Sequence, residues 1–312
     1  MTKIAIVGAG IAGLAAARRL EDAGIGCTVI EKSRGLGGRM ATRRVDGLQF
    51  DHGAQYFTAR GARFQARVAE WQRRGTVTQW MPGRWVGTPG MTAPARSLAE
   101  GLRVISGCRT MALEGNPGRW RPATDPGSGG LVGGECFDAV ILAIPAPQVI
   151  PLAASAGVHF PELERVRYAP CLTLMLAFEH ATDVREHVLT PPAGPVAWIA
   201  RNGTKPDRTG TRETLVAHAN PEWSRQHIDA DPEYIAEALL GALRPHIGSA
   251  RPVFRSVHRW LYARVEETAG VPFLWDPVRK IGACGDWAGG PRVEAAFDSG
   301  EALAVAMLET LA

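Results

Sequence analysis

Three glycines near the start of the chain have the spacing Gly-x-Gly-x-x-Gly, at Gly8, Gly10 and Gly13. They join a short apolar run, residues 4–7, to a segment that is predicted to be helical over 11–23. In a strand–turn–helix of this kind, the first glycine permits the tight turn and the second lets the backbone approach a pyrophosphate. The third lets helix and strand pack closely, and the unpaired N–H groups at the helix start face the phosphates. The spacing therefore predicts a dinucleotide site.

A carboxylate and a cation follow this motif. Glu31 stands at the end of a second apolar run, residues 27–30, where it can accept the hydrogen bonds of an adenosine ribose. The glycine-rich loop after it ends in Arg39, whose forked guanidinium can neutralise a phosphate. Gly37 and Gly38 can bring backbone donors to the same phosphate. Both features extend the predicted dinucleotide site.

A strand nearer the end of the sequence carries a second group of polar and aromatic side chains. Period-2 alternation over residues 256–264 predicts that His258, Trp260, Tyr262 and Arg264 share one face. Aromatic rings that can form hydrogen bonds, placed beside cations, suit a planar and charged ligand. The alternative is an amphipathic strand whose polar face lies in water.

The composition sets broad limits. The 312 residues are 46% hydrophobic and carry a formal net charge of +4, which argues for neither nucleic acid nor a membrane as partner. The five cysteines are scattered without a Cys-x-x-Cys or Cys/His cluster, so neither a redox disulfide nor a metal site is predicted. Because the first strand begins at residue 3 and the apolar runs are short, we expect no signal peptide, no membrane span and a cytoplasmic protein.

The elements that must position these residues come from both ends of the chain. Residues 137–145 form a continuous apolar run, typical of a strand buried on both faces. Residues 280–287 are predicted to form a strand that ends in Gly285 and Asp286. A helix with apolar residues at helical spacing follows from Val293.

The predicted fold class is α/β, with two domains. We predict a discontinuous Rossmann-type domain from residues 1–75, 95–165 and 272–312. Residues 76–94 and 166–271, with alternating strands and one helix, are predicted to form an inserted antiparallel α+β substrate domain. A glycine-rich loop is expected at 126–134, inside the first domain.

Together these motifs resemble the flavin amine oxidase superfamily, and within it the chain is most similar to the bacterial renalases. The similar stretches cover nearly the whole length and comprise residues 50–60, 85–91, 198–202, 223–226, 258–264 and 284–287. The resemblance implies the amine oxidase or p-hydroxybenzoate hydroxylase-like topology, in which a Rossmann-type FAD domain holds an inserted substrate domain.

The resemblance also implies an activity. An enzyme of this kind uses FAD to oxidise dihydro-NAD(P) isomers that carry the hydride at the 2- or 6-position of the nicotinamide ring. The hydride passes to flavin N5 and yields NAD(P)+, and O2 then takes the electrons and gives hydrogen peroxide. FAD is expected to be bound non-covalently, because the loop after Asp286 contains no Cys or His. The number of subunits is left open.

The resemblance assigns roles to residues at the FAD site. Glu31 is expected at the adenosine ribose, Gly10 and Arg39 at the pyrophosphate, and Asp286 at a ribityl hydroxyl or, through water, at the phosphate. The helix that begins at Val293 would point its positive end at the flavin N1/C2=O edge and favour the anionic reduced form. The expected cofactor residues are Gly8, Gly10, Ile11, Ala12, Gly13, Glu31, Lys32, Gly37, Gly38, Arg39, Gln55, Tyr56, Gly285, Asp286, Arg292, Val293 and Ala296.

A second set of residues is expected at the substrate. It comprises Tyr56, Trp198, Asn202, Trp223, His258, Trp260, Tyr262 and Arg264. The aromatic side chains would stack on or enclose the nicotinamide ring, Asn202 and His258 could hold its carboxamide, and Arg264 could meet a phosphate. Because the product of hydride transfer is an aromatic cation, the reaction needs orientation and a dry site rather than an acid–base triad.

Other functions stay open. A flavin amine oxidase acting on a small amine shares the fold and cofactor, but many such enzymes keep a lysine near flavin N5, and Lys205 is expected in an exposed polar turn. A carotenoid- or porphyrinogen-type desaturase would need a longer and more apolar substrate region. An NAD-linked dehydrogenase would leave Arg39 and Asp286 unexplained, and a non-catalytic flavin or nucleotide sensor would leave strand 256–264 without a purpose.

Overall fold

The helices and strands are distributed over the whole described chain. The structure, a computed structural model, describes residues 2–125, 127, 132, 134–208 and 210–311. The helices are α1 (Ile11–Glu21), α2 (Ala62–Arg73), α3 (Ala93–Ala99), α4 (Ala146–Ser155), α5 (Pro221–Gln226), α6 (Pro232–Ile247), α7 (Asp286–Gly289) and α8 (Val293–Leu311). The strands are β1 (Lys3–Val7), β2 (Gly26–Glu31), β3 (Thr42–Val45), β4 (Leu48–Asp51), β5 (Val77–Met81), β6 (Arg84–Gly87), β7 (Arg103–Ser106), β8 (Thr110–Glu114), β9 (Arg121–Thr124), β10 (Ala139–Leu142), β11 (Arg167–Phe178), β12 (Val188–Leu189), β13 (Val196–Arg201), β14 (Glu213–Ala219), β15 (Pro252–Glu267), β16 (Leu274–Asp276) and β17 (Ile281–Ala283).

The larger of the two main sheets has six strands, in the order β16-β17-β10-β1-β2-β7. All its pairs are parallel except that of β16 with β17. The central strands β1 and β10 are apolar and buried because helices cover both faces of such a sheet. Since β17 pairs with β10, strands from both ends of the chain share one sheet. The predicted α/β class is confirmed.

A five-stranded antiparallel sheet, in the order β12-β13-β14-β11-β15, lies in the middle of the sequence. Leucines of β11 and β14 point to one face and form an apolar core with α6. Met175 and Val216 point to the opposite face, where they pack against Phe50 of β4. We call this second face, which covers the β3–β4 hairpin, the inner face.

The predicted elements are present with small shifts. The helix expected from Pro232 to Arg244 continues to Ile247, and the strand expected over 256–264 extends from Pro252 to Glu267. Most of the glycine-rich loop expected at 126–134 lies outside the described residues. Strands of the parallel sheet fall within 1–75, 95–165 and 272–312, although the division into domains itself stays a prediction.

Strand β15 departs from the predicted alternation. Cys171 and Ala169 of β11 pair with Trp260 and Arg264 of β15, so β15 contains two extra residues at this point. This bulge interrupts the period-2 pattern after Trp260, and Arg264 is exposed. His258, Trp260 and Arg264 keep alternate partners on β11, namely Thr173, Cys171 and Ala169, whereas Tyr262 falls inside the bulge and has no described partner there.

Helix α8, the last helix of the chain, packs on α1. The two helices approach most closely where Gly300 faces the backbone of Ala12, since a Cβ at Gly300 would lie 2.1 Å from the Ala12 carbonyl oxygen. Phe297, Leu303 and Met307 of α8 are buried, as the helical spacing predicts. No described helix, α8 included, is long and apolar enough to cross a membrane.

We predict that Gly300→Ala destabilises the protein by about 1–3 kcal/mol, because the added methyl group forces α8 away from α1. Thermal unfolding should show a melting temperature that is lower by a few degrees. Gly241→Ala is the matched control, since a Cβ there meets nothing within 4 Å and Gly241 lies on an exposed position of α6. That substitution should stabilise the protein by about 0.5–1 kcal/mol. Equal melting temperatures for the two variants would contradict the close α1–α8 contact.

Candidate active site

The first part of the site is the turn between β1 and α1. Gly8 has φ +107, and a Cβ there would lie 2.5 Å from the Ala143 carbonyl oxygen. A Cβ at Gly13 would lie 2.2 Å from the Gly8 carbonyl oxygen, so neither position accepts a side chain. At Gly10, by contrast, a Cβ would meet nothing within 4 Å, and no side chain caps the start of α1. The first N–H groups of α1, which include those of Ile11 and Ala12, are therefore uncapped and lie beside open space at Gly10 that suits an anion.

Glu31 is fixed at the carboxyl end of β2. Its Oε2 accepts a hydrogen bond from the Ala9 N–H at 2.8 Å, and its Oε1 accepts one from the Ser33 N–H at 2.7 Å. The side chain is buried, whereas the neighbouring Lys32 is exposed. Each carboxylate oxygen keeps a lone pair that can accept from a ligand hydroxyl.

Arg39 and Asp286 form a bidentate ion pair. Arg39 Nη1 and Nη2 each donate to one oxygen of Asp286 at 2.6 Å, and Nη1 also donates to the carbonyls of Tyr262 and Ala263. Nε–H and the second N–H of Nη2 make no hydrogen bond to any described residue. One edge of the guanidinium thus holds the C-terminal segment, and the other edge remains able to bind a phosphate.

The inner face of the five-stranded sheet carries a row of four side chains. Trp198 of β13, His218 of β14, Thr173 of β11 and His258 of β15 are direct cross-strand partners in adjacent strands. Directly paired residues point to the same face of a sheet. We call this set the inner row, and it faces the loop that follows β4, residues 52–56.

One end of the inner row belongs to a group of rings formed by His52, His258 and Trp260, called the His–Trp cluster below. The His52 ring lies 4.7 Å from His258 and 5.2 Å from Trp260, between ring centroids. Trp260 Nε1 donates to the His52 carbonyl at 3.0 Å, which ties β15 to the loop. A Cβ at Gly53 would lie 2.0 Å from the Arg39 carbonyl oxygen, so the same loop also packs against the end of the glycine-rich loop.

The other end of the inner row belongs to the tyrosine cluster, formed by Tyr56, Trp198 and Arg84. The Tyr56 and Trp198 rings are 5.9 Å apart. The Arg84 guanidinium lies 4.7 Å from the Tyr56 ring centroid and 5.7 Å from the Trp198 ring centroid. Two predicted substrate residues are thus brought together with an arginine that the sequence did not single out.

A buried ionic network lies behind the loop, and it corrects one expectation. Lys205 is 2% exposed rather than part of an exposed turn. Its Nζ donates to Asp51 at 3.2 Å, to Gln55 Oε1 at 3.0 Å and to Asn202 Oδ1 at 3.4 Å. Arg208 donates to the same Asp51 oxygen at 2.6 Å. Lys205 is buried because this carboxylate, distant in sequence, compensates its charge.

Both polar atoms of the Asn202 side-chain amide form hydrogen bonds inside the protein. Asn202 Nδ2 donates to the Gln49 carbonyl at 2.9 Å, and its Oδ1 accepts from the Asp51 N–H. Asn202 is fully buried. Its amide is therefore committed to β4, and the expectation that it holds a substrate carboxamide has no support.

Burial keeps two histidines of the site neutral. Desolvation lowers the pKa of His218 to about 4, with a further lowering by the charge of Lys205. The pKa of His52 is also lowered to about 4, first by burial and then by His258. Burial would raise the pKa of Asp51, but the charges of Lys205 and Arg208 together lower it to about 2. Lys205 itself has a pKa lowered by burial to about 8.

Gln55 connects this network to the inner row. Its Oε1 accepts from Lys205, and its Nε2 lies 3.3 Å from His218 Nε2 and also contacts the carbonyl oxygens of Asp51 and Gly53. Since Nε2 is a donor, His218 Nε2 must be the acceptor in this bond. The amide of Gln55 is thus used inside the protein and positions the loop.

The remaining predicted residues are dispersed. Trp223 stacks on His227 at 4.2 Å and packs on the core beside α6, away from the inner row. Tyr262 contacts Tyr168, with ring centroids 5.5 Å apart, and Arg264 is exposed beyond the bulge. At the other end of the chain, Gly285 precedes α7, Val293 begins α8, Ala296 is buried in its first turns, and Arg292 is exposed.

Sequence reasoning missed several side chains of the site, among them Arg84, Thr173, Lys205 and His218. Of these, only His218 could have been recognised from the sequence. The alternation of β14 puts it on the face of the strand that points away from the core, whereas Leu215 and Ala217 point into the core. A histidine on the non-core face of a central strand indicates a polar site. The other three depend on strand register and long-range pairing.

Comparisons with known proteins identify the family. A family model for an NAD(P)-binding Rossmann-like domain matches residues 6–71, and one for flavin containing amine oxidoreductases matches residues 63–308. The chain belongs to the family of flavin containing amine oxidoreductases. It is therefore an oxidoreductase of the flavin amine oxidase superfamily, and the family implies a flavin cofactor.

Solved structures and curated relatives agree with this fold. A proposed protoporphyrinogen oxidase from Exiguobacterium sp. 255-15 is similar with a TM-score of 0.78 and 16% identity over 99% of both chains. Putrescine oxidase bound to putrescine has a TM-score of 0.70 and 15% identity, again over 99% of both chains. A 4,4'-diapophytoene desaturase of Staphylococcus aureus is 49% identical over 51 residues, which are 16% of this chain and 10% of the desaturase. At these identities the structures show the fold alone, and the desaturase match spans only a tenth of that protein.

We predict that acid destabilises the protein through its neutral histidines. Because the folded pKa values of His52 and His218 are about 4, against about 6.5 in an unfolded chain, the unfolded state binds protons first as the pH falls. Their stabilising contribution is complete above about pH 6.5 and is lost towards pH 4. His218→Gln should make the pH dependence of the free energy of unfolding shallower by about 1.4 kcal/mol per pH unit in this range.

Urea unfolding between pH 7 and pH 4.5 measures this slope. The exposed residue His180 supplies the matched control, His180→Gln, which should keep the wild-type slope. An unchanged slope in His218→Gln would show that His218 is not buried in a neutral form.

Proposed function

We propose that this chain is an FAD-dependent oxidase of 2- and 6-dihydro-NAD(P) isomers, and that it returns them to NAD(P)+. The observation that carries the proposal is the inner row between its two aromatic clusters, next to the cofactor loops. It offers aromatic faces, neutral histidines and no free carboxylate among the described residues that form it. These properties match the oxidation of a planar dihydropyridine ring.

The residues at the carboxyl ends of the parallel strands fit FAD. The open space at Gly10, the uncapped start of α1, the lone pairs of Glu31 and the free edge of Arg39 offer a phosphate cradle next to a ribose acceptor. We propose that FAD binds there non-covalently, with Asp286 near its ribityl chain and α8 directed at the flavin ring. FAD, when bound, supplies the hydride acceptor and passes the electrons to O2, giving hydrogen peroxide.

The protein's own residues have three tasks in this proposal. The rings of Trp260 and Tyr56 hold the nicotinamide flat, and the inner row limits its rotation. The neutral ring of His258, half-buried between Trp260 and the loop, is placed to bond the carboxamide. Because the product is already an aromatic cation, no side chain has to remove a proton, and exclusion of water matters more than basicity.

Amine oxidation is the second candidate, favoured by the burial of Lys205. The sequence argument against it was that Lys205 is exposed, and the structure contradicts that argument. A different argument replaces it. An ammonium group has three donors, and Asp51, Gln55 and Asn202 accept all of them, so none remains for a water molecule at the flavin.

The test is anaerobic reduction of the purified flavoprotein, followed as loss of the visible flavin absorbance. We expect rapid bleaching by a mixture of 2- and 6-dihydro-NAD(P) isomers, with NAD(P)+ as product, and at least about a hundredfold slower bleaching by ordinary NADH because its hydride sits on another ring carbon. Admission of air should restore the absorbance and produce one hydrogen peroxide per flavin.

A panel of small amines, including putrescine, is the parallel arm of the same experiment. Bleaching by an amine and not by the isomers would replace the proposed function with amine oxidation. Absence of bleaching by every compound would contradict both candidates and favour a non-catalytic flavin or nucleotide sensor.

A further inference from the structure

The tyrosine cluster contains three side chains whose hydrogen-bond donors have no acceptor among the residues that the structure describes. The buried Trp198 Nε1 is one of these donors. Within the described part of the chain, neither the Tyr56 hydroxyl nor the Arg84 guanidinium makes a hydrogen bond or an ion pair. Buried donors are normally satisfied, so the Trp198 N–H without a partner, beside the half-buried Tyr56 and Arg84, indicates a ligand that supplies acceptors.

No described carboxylate pairs with Arg84, and the position of this arginine makes that absence informative. Its guanidinium is half-buried over two aromatic rings, where desolvation strengthens its interactions with an anion. Two other arginines near the site do have such partners, Arg39 with Asp286 and Arg208 with Asp51. Stacking on rings alone uses the faces of the guanidinium and leaves its N–H groups free.

The charge around the inner row points the same way. In the buried network, Lys205 and Arg208 share the single carboxylate of Asp51, which leaves one net positive charge. At the other end of the inner row, the positive charge belongs to Arg43. Burial causes the larger lowering of the pKa of His258, and Arg43 lies close enough to lower the pKa of that histidine further. The described wall of the site is thus positive at both ends, which attracts anions and repels a protonated amine.

We propose that Arg84, together with the Tyr56 hydroxyl and the Trp198 indole N–H, forms an anion-binding subsite for the phosphate group of the substrate. The inference rests on the proposed function and narrows it, since it selects phosphorylated dihydronicotinamides over the uncharged riboside. Arg84 is then a specificity residue that acts on substrate affinity and does not take part in hydride transfer.

The experiment compares three substrates that differ only in phosphate content, the 2-/6-dihydro isomers of nicotinamide riboside, mononucleotide and dinucleotide. Anaerobic stopped-flow reduction gives an apparent dissociation constant and a limiting rate for each. Arg84→Met should weaken binding of the two phosphorylated substrates by about tenfold to a hundredfold, as expected for loss of a charge-assisted hydrogen bond. Binding of the riboside and all limiting rates should stay at wild-type values.

Two further variants make the result specific. Arg84→Lys keeps the charge but loses the fork, so its affinity for phosphorylated substrates should be intermediate. Arg73→Met removes an exposed arginine at the end of α2 and should behave as wild type. An equal loss of affinity for riboside and nucleotides in Arg84→Met, or no loss for either, would overturn the proposed subsite.

A calorimetric titration separates this inference from the proposed function. If no dihydronicotinamide reduces the wild type, the proposed function fails, and titration of the FAD-loaded protein with inorganic pyrophosphate still tests the subsite. Binding to wild type and Arg73→Met that is lost in Arg84→Met would support an anion site at Arg84. Equal binding, or no binding, in all three proteins would overturn it.

Discussion

The bidentate ion pair between Arg39 and Asp286 joins two segments that are 247 residues apart in the chain. One partner ends the glycine-rich loop after β2, and the other begins α7 after β17. The Asp286 side chain is 7% exposed, so an unpaired carboxylate there would be costly. The loop of the first segment and the C-terminal helices are thereby held at the same edge of the parallel sheet, where dinucleotides bind in α/β folds.

The pair also connects this edge to the second sheet, because Arg39 donates to the carbonyls of Tyr262 and Ala263 in β15. Strand β15 carries His258 and Trp260, and Trp260 in turn binds the loop after β4. A single guanidinium therefore contacts the C-terminal segment and the five-stranded sheet, while one of its edges faces neither. This arrangement fixes the distance between the glycine-rich loop and the aromatic rings of β15, in addition to the core that Ala200 and Val265 share with the parallel sheet.

Local patterns were sufficient for the elements at both ends of the chain. The strand–turn–helix from Lys3 to Glu21 and the helix α8 follow from short-range spacing, and the structure has both. Glu31, Arg39 and Asp286 could be singled out because glycine-rich turns mark them. Their pairing with one another could not, since the sequence does not say which two loops meet.

The residues expected at the substrate were less predictable for three physical reasons. The inner row depends on the register of four strands, and a bulge in β15 takes Tyr262 out of the pairing that alternation assigned. Lys205 looks like a surface residue until Asp51, 154 positions away, compensates its charge. Asn202 was expected at the substrate, but its amide bonds with β4 and not with the open site.

The most direct test of this account is a double-mutant cycle on the pair itself, with flavin affinity as the readout. Arg39→Gln, Asp286→Asn and the double variant would be checked for native circular dichroism and then titrated with FAD. Each single change should weaken FAD binding about tenfold or more, and the double variant should lose less free energy of binding than the sum of the two. Wild-type affinity in either single variant, or strictly additive losses, would contradict the claim that both ends of the chain form one cofactor site through this pair.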